Sequence, residues 1–78
     1  MQYDKPYKFT NSLILELKRY LKNGNVLYVR PVGGKKFVFT NENKEGYYKI
    51  EYSDRDYIKY RLKSLNNLFK KHISVTNT

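Results

Sequence analysis

The chain has 78 residues, no cysteine, and 16 basic against 7 acidic side chains, for a net charge of +9. A chain of this length makes one domain, residues 1–78, with a small core. The absence of cysteine excludes disulfides and thiolate metal sites, and it fits a reducing, cytoplasmic setting. The charge excess points to an anionic partner: nucleic acid first, then an anionic membrane or an acidic protein, the alternative being charge kept for solubility.

The N-terminal stretch MQYDKPYKF lacks the apolar segment of a secretory signal, and apolar runs such as Leu13 to Leu15 are far too short to span a membrane. Nine tyrosines, four phenylalanines and no tryptophan are an unusual aromatic load for this length. Tyrosine serves cores, protein interfaces and base-stacking surfaces alike. An AT-rich coding sequence would also enrich Lys, Asn, Tyr and Ile.

In chain order, residues 1–9 read as an irregular or extended arm. Pro6 turns Lys5 away from helix, and Tyr3, Tyr7 and Phe9 are available to anchor the arm. A first helix is predicted over residues 12–23, capped by Thr10, Asn11 or Ser12. Leu13, Leu17, Tyr20 and Leu21 form its apolar stripe, and Gly24 ends it.

Three strand-like runs follow, over residues 26–32, 35–41 and 46–52. Gly33-Gly34 suits a tight primed turn and the polar NENKEG a longer loop, so the expectation is a three-stranded antiparallel meander. A second helix starts at Ser53 or Asp54, where SDRD resembles a capping box, and runs to about His72. Ile58, Leu62, Leu65 and Phe69 give its stripe, and residues 74–78 read as a frayed tail. The predicted class is α+β, in the order α-β-β-β-α, with two helices packed on the sheet. Double-stranded RNA-binding domains share this order, but the start of the last helix here is half acidic and lacks their lysine cluster. The order therefore implies a shape and not a function.

Three features carry functional expectations. First, Arg55, Lys59, Lys63 and Lys70 lie near one stripe of the second helix, with Asn66 and Asn67 between the last two, and no acid occurs from Tyr57 to His72. A solvated face held by local ion pairs would mix signs, so this ridge is a candidate for phosphate contact. Second, Lys35 and Lys36 follow the two glycines at the hairpin tip, where exposed backbone N–H groups suit a phosphate; the alternative is a plain turn guarded by charge.

Third, the hairpin looks apolar on both faces. A turn centred on Gly33-Gly34 sets Val29 opposite Val38 and Tyr28 opposite Phe39. The third run can then join in two registers. In one, Tyr28, Arg30, Phe37, Phe39 and Tyr47 form an exposed platform for bases or a partner. In the other, Phe37 and Phe39 enter the core with Tyr48 and Ile50, and Leu27, Val29 and Val38 are left outside. The remaining patch would be covered by the arm, by a second copy in a homodimer, or by a partner.

Enzyme chemistry finds no footing. The chain has one histidine, His72, and its acids are accounted for by caps, turns and surface positions, so no catalytic residue, metal or cofactor is expected. The second helix is amphipathic and basic, but its stripe has the narrow width of a domain core, so no membrane partner is expected. The leading expectation is a small basic intracellular nucleic-acid-binding protein. Its phosphate contacts would come from Arg55, Lys59, Lys63, Lys70, Arg30, Lys35 and Lys36. The alternative is a viral or mobile-element inhibitor of the anti-CRISPR kind, binding a host protein or nucleoprotein complex through Tyr28, Phe37, Phe39 and Tyr47.

Overall fold

Helix formation begins where Thr10, in extended conformation, turns its hydroxyl back to accept the N–H of Leu13 at 3.2 Å. In the structure, a computed structural model that describes the backbone of residues 1–76 and the side chains of residues 1–71, the order is β1 (Tyr7–Lys8), α1 (Asn11–Lys22), β2 (Leu27–Gly33), β3 (Lys36–Thr40), β4 (Tyr48–Ile50) and α2 (Arg55–Thr76). The protein is a small α+β domain with a four-stranded antiparallel sheet and two helices. The first helix ends as predicted. Gly24 at φ +88 donates its N–H to the Leu21 carbonyl at 3.0 Å, and Asn25 donates its side-chain amide to the Tyr20 carbonyl.

The sheet corrects the predicted meander. Its order is β1-β3-β2-β4, so the last strand pairs with β2, as Leu27↔Ile50 and Val29↔Tyr48, and not with β3. The seven residues between Thr40 and Tyr48 can extend over about 20 Å, ample to carry the chain past β2. The outer edge of β3 is taken by the arm, which pairs Tyr7↔Phe37 and Lys8↔Lys36. The arm's other aromatics anchor it as expected. Phe9 meets Phe37 edge-on at 5.9 Å between ring centroids, and Tyr3 hydrogen-bonds the hydroxyl of Tyr20.

The register is the second correction. The pairs are Tyr28↔Thr40, Val29↔Phe39 and Pro31↔Phe37. One extra β2 residue between Pro31 and Gly33 then makes the last pair Gly33↔Lys36. The two turn residues are therefore Gly34 and Lys35, at φ +59 and +55, with Gly33 at φ +87 beside the bulge. The physical reason is burial. This register puts Leu27, Val29, Phe37, Phe39 and Ile50 on one face, where none is more than 2% exposed, and neither expected register did so.

That face carries both helices. Leu13, Ile14 and Leu17 of α1 and Ile58, Leu62 and Leu65 of α2 complete the core cluster. Strand alternation sends Val38 and Thr40 to the other face, and they are buried as well. Helix α2 runs on to Thr76, past the predicted end near His72, so residues 74–76 of the expected tail carry helical backbone. The rest of that expectation, together with the His72 side chain, lies outside the described residues.

Candidate nucleic-acid interface

The basic ridge is set by the start of α2. Asp54, not Ser53, is the cap: its carboxylate accepts the Tyr57 N–H at 2.9 Å, so the Ser53–Asp56 capping box does not form. From that phase, burial of Ile58, Leu62 and Leu65 turns Arg55, Lys59, Lys63 and Lys70 to solvent along one flank, and all four are exposed. At 1.5 Å per residue the ridge is about 22 Å long.

The hairpin tip meets this flank. A cleft of about 360 Å³ is lined by Lys35 from the turn, Phe9 from the end of β1, and Lys63, Asn66, Asn67 and Lys70 from α2. The tip is held in place from two sides. The Phe9 N–H donates to the Lys35 carbonyl at 3.0 Å, and Gly33 packs so closely on Phe69 that a Cβ there would lie 3.1 Å from the ring. Three residues in succession at positive φ aim the turn, and the third is a lysine in a conformation that favours glycine or asparagine.

The cleft wall contains three ammonium groups and no carboxylate. Among the described residues the one ion pair is Lys44–Glu42, elsewhere on the surface, so Lys35, Lys63 and Lys70 have no charged partner there. Asn66 is only 7% exposed, yet it lines the cleft.

The structure thus brings together Lys35, Lys63 and Lys70, with Lys59 and Arg55 continuing the same flank. It does not bring in Lys36, which is exposed on β3, or Arg30, which lines a groove on the opposite side of α2. The expected aromatic platform is corrected. Phe37 and Phe39 have no exposed surface, because they are the centre of the core. Tyr28 is half-buried, and half-buried Tyr47 donates its hydroxyl to Asp4 at 3.2 Å.

Phe9 and Asn66 were not expected in a site. Asn66 carried a signal: it stands four residues after Leu62, where the helical period calls for an apolar side chain. Phe9 carried none, since its place depends on the strand pairing of the arm.

The opposite flank of α2 is built differently. A groove of about 240 Å³ is lined by Pro31, Tyr48, Leu65, Leu68 and Phe69 with Arg30 and Gly46. Nearby, Arg61 lies 5.9 Å from the Tyr48 ring centroid and donates to the Lys49 carbonyl at 3.5 Å, while Tyr52 packs edge-on against Tyr57 at 5.0 Å. Among the described residues, no three His, Cys, Asp or Glu side chains gather as metal ligands, and no helix is long and apolar enough to cross a membrane. No protein-family model, curated protein or solved structure matches the chain.

Proposed function

We propose that the protein binds nucleic acid, inside the cell, by electrostatic contact between phosphates and the flank of α2 that carries the cleft. The observation that carries this reading is the convergence of Lys35, Lys63 and Lys70 on one cleft with no carboxylate in its wall. Charges that serve only solubility gain nothing by crowding together, and their mutual repulsion costs stability unless an anion offsets it. With Lys59 and Arg55 the flank offers five cationic side chains along about 22 Å.

Fluorescence anisotropy with short DNA and RNA strands tests this over a series of salt concentrations. Neutralising about five phosphates gives a log–log slope of affinity against salt of about −4. A slope near zero, or no binding at low salt, removes the proposal.

A second reading keeps a protein or nucleoprotein partner, as an inhibitor would have. One observation favours it: Tyr48, Tyr52 and Tyr60 are 42%, 60% and 69% exposed, along the β4 edge and on α2. They would replace the four aromatics of the expected platform. A partner retained from lysate after nuclease treatment, with no intrinsic nucleic-acid binding, selects this reading.

A further inference from the structure

The cleft contains more than positive charge, and the surplus is informative. Phosphate oxygens accept hydrogen bonds and offer no donor, so a phosphate site wants ammonium, guanidinium and N–H groups. Two carboxamides side by side, Asn66 and Asn67, present acceptors as well as donors. A carboxamide matches the edge of a nucleobase, which pairs a donor with an acceptor at the same spacing.

Asn66 makes the point most strongly. It is more than nine-tenths buried as a residue, yet it lines the cleft, and its carboxamide is not among the buried polar atoms left without a partner. It also stands four residues after Leu62, where the helical period of the stripe calls for an apolar side chain. A nucleobase edge in the cleft would offer that carboxamide both a donor and an acceptor.

The other walls fit the same ligand. The Phe9 ring is fixed by its 89° edge-on contact with Phe37 and offers an aromatic surface at the cleft. The volume of about 360 Å³ lies at the lower end of small-molecule clefts, room for one nucleoside. Lys35, Lys63 and Lys70 stand around it, where the phosphates on either side of a seated base would lie.

We propose that this cleft seats one unpaired nucleobase against Phe9, hydrogen-bonded by Asn66 and Asn67, so that the protein selects single-stranded over double-stranded nucleic acid. The proposal rests on the nucleic-acid reading above and names its substrate class. A duplex keeps its bases stacked and paired, and so offers the cleft phosphates alone.

The test is anisotropy at low salt with four labelled probes, a fluorescein-labelled single strand of DNA, the same strand as RNA and the annealed duplex of each, and with inorganic polyphosphate as a competitor that has charge but no bases. Single strands are expected to bind about tenfold more tightly than duplexes, and polyphosphate to compete poorly at equal charge. Asn66→Leu combined with Asn67→Ala should abolish the preference by weakening single-strand binding about tenfold and duplex binding far less.

Should the Asn66 variant fail to fold by circular dichroism, a single strand carrying 2-aminopurine reports on the wild-type protein. Its emission should change on binding, and the change should shrink in Asn67→Ala, an exposed position. Equal affinity for single strand and duplex, equal competition by polyphosphate, or unchanged 2-aminopurine emission overturns the base seat while the electrostatic reading stands. No binding of any probe overturns the reading itself.

Discussion

The two flanks of α2 carry the same kinds of residue to different ends. On one flank Lys63 and Lys70 face Lys35 across a cleft, with no carboxylate in its wall and, among the described residues, no ion pair or cation–π contact to hold them. On the other, Arg61 is laid over Tyr48 and reaches the Lys49 carbonyl, among tyrosines that pack on each other. Arg61 is half-buried and its charge is bound up in holding β4 to the helix; the lysines of the cleft are exposed and unengaged. Net charge alone therefore does not mark a binding surface. What marks it is charge that the fold does not use for itself.

The largest effect on this contrast should come from the hairpin tip. Gly33 has a positive φ and faces Phe69, so Gly33→Ala strains the backbone and pushes the tip away from α2. A loss of about 2 kcal/mol in urea denaturation is expected, together with weaker nucleic-acid binding through a widened cleft. Loss of stability with unchanged affinity would separate the tip from the site. A smaller effect is expected at the other flank. Arg61→Ala removes the ring contact and the bond to Lys49 and should cost about 1 kcal/mol of stability. It should lower nucleic-acid affinity less than Lys63→Ala does, and the reverse ranking would show that the two flanks are one surface.

Much of this arrangement was legible in the sequence, for local reasons. The stripes of Leu13–Leu17 and of Ile58, Leu62 and Leu65, with the caps at Thr10 and Asp54, fix both helices and the phase of the basic ridge. The Lys63–Lys70 half of the site follows from that phase. The register of the hairpin did not, because Gly33, Gly34 and Lys35 offer more than one two-residue turn, and the left-handed lysine that decides the matter leaves no mark in composition. The choice between turns is made by tertiary burial of Phe37 and Phe39 beside Leu27 and Val29. The partner of β4 was illegible for a similar reason: a seven-residue connection permits a neighbouring strand or the next one over, and the arm competes for the edge of β3. Phe9 joined the cleft only through that competition.

The central claim is that the position of the charges, and not their sum, makes the interface. Its most direct test compares two variants of equal net charge, Lys63→Gln with Lys70→Gln against Arg19→Gln with Lys22→Gln, the second pair being exposed on the last turns of α1. Single-strand affinity should fall about tenfold or more for the cleft pair, with the salt slope shallower by about 1.4, and by less than about threefold for the α1 pair. Equal losses in the two variants would contradict the claim.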